Sequence, residues 1–231
     1  MNIHSVYRPF LRHFRSKRMV QFGQLLRVTP HTSVLDVGGD LFNWSLLPVR
    51  PHLTILNVSV GAVRGREATF IVGDGRRLPF RDGAFDIAFS NSVIEHVGNA
   101  GDQQLFAREI TRVGVRYYVQ TPNSRFPVDP HVITPFIHFL TKKWQRRLLR
   151  NFTVWGLLTR PTAEYCENFL RHVRLLDRKQ LRELFPEAQI HREKFLGLTK
   201  SLIAVGGATG GSERQAADQP AWIRTRQRIP Q

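Results

Sequence analysis

The stretch GDGRRLPFRDGAFDIAFSNSVIEHV, residues 73–97, says most about the fold. Within it Phe85, Ile87 and Phe89 alternate with Asp86 and Ala88, the period-two pattern of a strand, so these side chains are assigned to sheet packing. The strand runs from Phe85 to Ser90, which leaves Ser90 and Asn91 at its carboxyl end. Working outward, Ser33 to Val37, Leu53 to Val58 and Ala68 to Val72 read as earlier strands, and Val115 to Gln120 as a fifth. Between the last two, Leu105, Phe106, Ile110 and Val113 recur at helical spacing, which predicts a helix over 102–113. Strands separated by helical or short connections imply a mostly parallel sheet with ligands beyond its carboxyl ends. The connection from Val58 to Ala68 is short for a crossover helix and is expected to be a turn or two.

The first strand leads into VLDVGGD, residues 34–40, where two glycines let the backbone turn sharply and approach a ligand. Alone, this segment also reads as a tight connection with no ligand. With the spacing to residues 73–97, it resembles the class I S-adenosylmethionine-dependent methyltransferases, specifically bacterial enzymes acting on small molecules or lipids. The resemblance covers roughly residues 30–205. It implies a Rossmann-like α/β fold with a mostly parallel seven-stranded sheet and helices on both faces. It also implies S-adenosylmethionine as cofactor.

The family's pattern carries over position by position. Asp36, Gly38 and Gly39 fall where the first strand ends in an acidic residue and a glycine-rich loop against the methionine part of the cofactor. The family continues with two more glycines, whereas Asp40 and Phe42 stand here. In LTILNVS, residues 53–59, Asn57 takes the place of the carboxylate that receives both ribose hydroxyls. Its amide still accepts and donates, without the charge-assisted contribution. The other reading is a turn asparagine. Asp74 is the candidate on the adenine side, with Gly75 admitting the ring close to the backbone, and a loop cap is the alternative role for Asp74. Asn91 is a candidate for the methionine end.

Methyl transfer from a sulfonium needs orientation and desolvation more than a catalytic triad, and a base only where the acceptor must lose a proton. The segment QTPNSRFPVDPH, residues 120–131, follows the fifth strand and so falls near the sheet's carboxyl edge. His131 is a candidate base and Asn123 a candidate for orienting substrate, against a purely structural proline-shaped loop. His96 reads first as a hydrogen-bonded structural histidine. No catalytic residue and no metal ligand is assigned.

The single Cys166 excludes an internal disulfide and a cysteine-built metal site, and no CxxC or HExxH spacing occurs. A cytoplasmic location, with peripheral membrane contact, is the expectation. Basic residues interrupt the N-terminal apolar positions, and no apolar run approaches the ~18 residues of a spanning helix. The formal charge of +16, from 28 Arg and 6 Lys against 18 acidic residues, suits nucleic acid, anionic lipid or an acidic small substrate without choosing among them.

Three regions are expected: an N-terminal amphipathic helix in 1–29, a methyltransferase domain in 30–205 with a cap inserted at about 122–170, and a disordered tail in 206–231. In the cap, Phe136, Leu140, Trp144 and Leu148 recur every four residues, one face of a helix, with Lys143, Arg147 and Arg150 on another. Such a helix suits either packing on the core or contact with an anionic membrane. Asp177 with Gln180 marks a later helix start, and Ile190 to Phe195 with Ser201 to Val205 a terminal strand pair. The cap's apolar content makes a small-molecule or lipid-like acceptor the first expectation. Nucleic-acid methylation is suggested by charge alone, and a non-catalytic cofactor-binding role by Asn57, Asp40 and Phe42.

Overall fold

The computed structural model describes residues 3–59 and 67–207, and the side chains from residue 12 onward within them. Most of the expected Val58–Ala68 turn, and all of the expected tail beyond Gly207, lie outside the described residues. Strands β1 (Ser33–Val37), β2 (His52–Asn57), β3 (Thr69–Val72), β4 (Phe85–Asn91), β5 (Gly114–Pro122), β6 (Gln189–Phe195) and β7 (Leu198–Gly207) form one seven-stranded sheet. Its order is β3-β2-β1-β4-β5-β7-β6. The pairs up to β5 are parallel, and β7 enters antiparallel between β5 and β6. Gly206 and Gly207, expected to open the tail, are instead the last residues of β7, paired with Tyr117 and Arg116.

The central strands are buried on both faces, which is why they read as nearly continuous apolar runs. Leu35, Val37, Tyr117 and Val119 face helices α3 (Ala100–Val113) and α7 (Arg178–Leu184) through Phe106, Ile110, Leu181 and Phe185. Val34, Ile55, Phe89 and Tyr118 face the other way, against Met19, Phe22 and Leu26 at the end of α1 (Ile3–Leu25) and just beyond it. The capping box read from Asp177 and Gln180 is present at α7, and a second one, Asn99 with Asp102, starts α3. Both satisfy backbone donors at a helix start.

The region after β5 builds a small core of its own from Val132, Ile137, Leu149, Cys166 and Leu170. It contains α4 (Lys142–Leu149), α5 (Val154–Thr159) and α6 (Ala163–His172). The expected single face through Phe136, Leu140, Trp144 and Leu148 is not formed, because the helix begins only at Lys142. Phe136 sits at φ +61 before a 3-10 turn, Ile137–Phe139, and Leu140 is extended. The Gln145 amide nitrogen donates to the Leu140 carbonyl at 2.7 Å and to that of His138 at 3.3 Å, serving oxygens that a continuous helix would have used. Trp144 is left 51% exposed while Leu148 turns into the cap core.

Candidate functional site

A cavity of about 320 Å³ opens at the carboxyl ends of β1, β2 and β4, where an open parallel sheet reverses its strand order. Its walls are apolar, from Val37, Leu56, Val93, Val97 and Phe106, and its polar groups come from Asn57, Asp74, Arg76, Ser92 and His96. Gly38 and Gly75 lie on the wall for steric reasons. Gly38 has φ +82 and a Cβ there would stand 2.6 Å from Val93, while a Cβ on Gly75 would stand 2.7 Å from Phe106.

Of the seven candidate cofactor residues, Gly38, Asn57, Asp74 and Gly75 share this wall, whereas Asp36, Gly39 and Asn91 do not. Asp36 lies beneath the glycine turn, fully buried, its Oδ2 accepting from Trp44 Nε1 at 2.7 Å while Oδ1 has no partner. Burial raises its pKa to about 7, against the lowering effect of the Trp44 bond. A side chain at Gly39 would collide with this carboxyl group. Gly39 and Asp36 therefore support the turn from behind.

The departure at Asp40 and Phe42 has a local explanation. Asp40 caps a one-turn helix, α2 (Leu41–Trp44), its side chain accepting from Phe42 N at 2.9 Å. That turn carries Trp44 to Asp36, so a capped helix takes the place of further glycines. Asn57 is held at the end of β2: its Nδ2 donates to the Gly39 carbonyl at 3.2 Å, and its Oδ1 accepts from Val58 N at 2.8 Å. Oδ1 retains a second lone pair for a ligand hydroxyl.

Asp74 has a partner that the sequence did not advertise. Arg76 binds it through Nε, 3.0 Å from both carboxylate oxygens, and through Nη2 at 2.6 Å, while Nη1 reaches Asp102 at 2.9 Å. The Arg76 bond is the main reason that the Asp74 pKa is lowered, so the carboxylate is ionised.

Asn91 belongs to a neighbouring buried network. Arg18, from α1, donates to Asn91 Oδ1 at 2.5 Å, to Gln120 Oε1 at 3.0 Å and to Glu193 Oε2 at 2.8 Å. Ser92 Oγ also donates to Gln120 Oε1. The N-terminal helix is thus pinned to the carboxyl edge of β4 and β5.

On the cavity rim, His96 meets His131, with the two Nε2 atoms 3.1 Å apart and the rings nearly perpendicular. His131 Nδ1 lies 3.0 Å from Asp129 Oδ1. Glu95, beside His96 in a 3-10 turn, is fully buried, its Oε2 accepting from Thr121 Oγ1 at 3.0 Å and its Oε1 without a partner. Burial, with the neighbouring His131, pushes the His96 pKa down to about 4. Burial also acts to lower that of His131, but the bond to Asp129 and the charges of Asp129 and Glu95 outweigh it and the net shift is upward. Asn123 is turned away, its Nδ2 donating to the Thr199 carbonyl at 2.8 Å. It borders a separate, larger cavity of about 450 Å³ whose other lining includes Arg125, Arg178, Lys179, Arg182 and Arg192. That cavity is a cationic cleft away from the strand ends of β1, β2 and β4.

Comparison with known proteins bears on the same region. Residues 50–115 match the family model of a methyltransferase domain. The chain is 29% identical over 106 residues to 2-methyl-6-phytyl-1,4-hydroquinone methyltransferase of Synechocystis sp., an alignment covering 41% of this chain and 32% of that protein. It is 34% identical over 67 residues to an uncharacterised protein of Mycobacterium tuberculosis, covering 29% of this chain and 22% of that one. The aligned parts thus span about a third or less of these relatives. Among solved structures, magnesium protoporphyrin IX methyltransferase from Synechocystis PCC 6803, with bound SAH, superposes with a TM-score of 0.54 at 13% identity, over 89% of this chain and 88% of that one.

Proposed function

We propose that this chain, which has the fold of the class I S-adenosylmethionine-dependent methyltransferases, binds that cofactor in the cavity at the carboxyl ends of β1, β2 and β4 and transfers its methyl group to a small-molecule or lipid-like acceptor. The observation that carries the reading is the convergence of Gly38, Asn57, Asp74 and Gly75, from successive strand ends, on one largely apolar cavity. Its lining suits the group: Leu56, Val97 and Phe106 supply apolar surface for a heterocycle, and Asn57, Asp74 and Ser92 supply hydrogen-bonding groups.

The cofactor brings an already activated methyl group, so the chain's task is binding, orientation and exclusion of water. Asn57 Oδ1 would accept from the ribose hydroxyls while its nitrogen holds the glycine turn. Asp74, fixed by Arg76, would accept from the adenine amino group. Asp36 and Gly39 would keep the turn in shape from below, and Asn91 would hold α1 over the methionine end through Arg18. The acceptor would enter beside His96 and His131.

Support for a lipid-like acceptor, and for peripheral contact with an anionic membrane, comes from the cap. Phe136, Phe139, Trp144, Phe152 and Leu157 are exposed there, and Arg147 lies over the Trp144 ring at 5.8 Å. Among the described residues no helix is long and apolar enough to cross a membrane. Incubation with methyl-labelled cofactor and fractionated cell extract tests the reading. Label in the lipid or small-molecule fraction is expected. Label confined to nucleic acid would move the acceptor to that class, and no transfer to any fraction by a protein that binds the cofactor would favour a non-catalytic binding role.

A further inference from the structure

Three potential ligand atoms converge at the rim of the cavity without belonging to its hydrogen-bonded frame. Nitrogen atoms of His96 and His131 and a carboxylate oxygen of Glu95 all lie within 4.8 Å of one another. We propose that Glu95, His96 and His131 form a binding site for one divalent transition-metal ion, with Asp129 as the residue that positions His131. Four observations carry this.

Glu95 Oε1 is the first. A carboxylate oxygen buried with no donor costs free energy that native structures rarely leave uncompensated. Oε2 accepts from Thr121, and Oε1 is the oxygen left without a partner.

The second is the separation of the two imidazoles. At 3.1 Å, the Nε2 atoms are close to the spacing that two nitrogens adopt at about 2.0–2.1 Å from a shared tetrahedral ion. The two rings stand nearly perpendicular across that gap, their centroids 4.8 Å apart.

Third, the Asp129–His131 contact is the arrangement found behind metal-bound histidines. A carboxylate accepting from Nδ1 fixes the tautomer that leaves Nε2 as the ligand and raises its basicity. Asp129 is itself 7% exposed, so the orientation is protected from solvent.

Fourth, the ligands lie on segments that follow central strands of the sheet. Glu95 and His96 occupy the turn directly after β4, and Asp129 lies in a short antiparallel pair, Val128–Asp129 with Thr134–Pro135, that follows β5.

Two imidazoles and one carboxylate, with no thiolate, favour zinc and its first-row neighbours over magnesium or calcium, which prefer an all-oxygen shell. Three protein ligands leave a coordination position open. His96 also lines the cavity, so an ion held there would stand at the cavity's edge. If the methyl-transfer reading holds, the ion would coordinate a hydroxyl acceptor and lower its pKa, its proton passing to solvent. The resulting alkoxide or phenolate would form the oxygen–methyl bond as the sulfur–methyl bond breaks, the electron pair stays on sulfur and S-adenosylhomocysteine leaves. The metal site itself does not depend on that reading.

The test uses chelator-treated protein titrated with zinc chloride alone in a calorimeter, with S-adenosylhomocysteine titrated separately into the same samples. One zinc ion per chain is expected. His96→Ala and His131→Ala should each weaken it at least about tenfold, and Asp129→Asn about ten- to a hundredfold. Asp129→Asn removes no ligand, so it keeps the test open if either histidine variant fails to fold. Absence of zinc uptake by wild type that keeps its native circular dichroism, or uptake unchanged in the folded variants, overturns the proposal. Loss of zinc uptake with S-adenosylhomocysteine binding intact would leave the cofactor reading standing, and the reverse pattern would leave the metal site standing.

Discussion

The side-chain nitrogen of Asn57 donates to the carbonyl oxygen of Gly39 across 3.2 Å, so the end of β2 is tied to the turn that follows β1. A carboxylate could not make this bond, since it has no donor. Asn57 thereby performs two tasks, holding the turn and presenting Oδ1 to a ligand.

Substitution at this position separates them. Asn57→Asp keeps acceptors for the ribose hydroxyls but sets them near a carbonyl oxygen, whereas Asn57→Leu removes both functions. The leucine variant should lose more affinity for S-adenosylhomocysteine than the aspartate variant, by roughly tenfold or more against wild type, as ~1–3 kcal/mol for unsatisfied polar groups implies. Calorimetry reads this directly, and equal affinity for wild type and Asn57→Leu would remove Asn57 from the site.

Asp36 links the turn to pH. Its pKa is raised from 3.8 to about 7 in the folded protein, so the folded state binds this proton more tightly than the unfolded chain does. Protonation therefore favours folding: the contribution is complete below about pH 3.8, declines as pH rises and is lost above about pH 7. An Asp36→Asn variant has no such titration. Between pH 5 and pH 8, urea unfolding should show the variant gaining about 2–3 kcal/mol relative to wild type. A difference that stays constant over this range would show that Asp36 does not titrate there.

Arg18, buried, and Glu193, partly buried, form an ion pair, with side chains 6% and 12% exposed. Burial acts to raise the Glu193 pKa, but Arg18 and Lys200 outweigh it and the net shift is downward, so a partly buried carboxylate stands there. Arg18→Ala leaves that charge short of its main partner, with Lys200 at 3.5 Å as partial compensation. A loss of about 3 kcal/mol in urea unfolding is expected, and Arg18→Met combined with Glu193→Leu should lose less than Arg18→Ala alone. A double variant less stable than Arg18→Ala would contradict this reading of the pair.

Membrane contact by the cap is open to a flotation comparison. Wild type should float with anionic vesicles at low salt, less at high salt, and less again when Lys143, Arg147 and Arg150 are all replaced by Glu. Binding to neutral vesicles should be weaker throughout. Folded wild type that never floats with anionic vesicles at low salt would assign the exposed cap residues to some other contact.

The sheet was legible because β1, β2, β4 and β5 are short apolar runs with turn residues after them, and α7 because its capping box is written in two residues three apart. The cap helix departs from its sequence repeat for a related reason. A four-residue repeat describes a face only while the helix continues, and the backbone at Phe136 to Thr141 does not. Gly38, Asn57, Asp74 and Gly75 could be placed on one wall because strand ends order them along the sheet. Arg76 and Arg18 could not, since nothing local to either residue says which carboxylate it meets. His96 and His131 stand 35 residues apart, which is no metal-binding spacing, and only the return of the chain after β5 brings them together.

The most direct measurement is calorimetric titration of S-adenosylhomocysteine into the intact protein and into Asp74→Ala. Wild type should bind one molecule per chain saturably, and the variant should bind it more weakly by roughly tenfold, within the ~1–3 kcal/mol of a lost buried hydrogen bond. No binding at millimolar ligand by wild type that retains its native circular dichroism would contradict the assignment of this cavity, and with it the proposed methyl transfer.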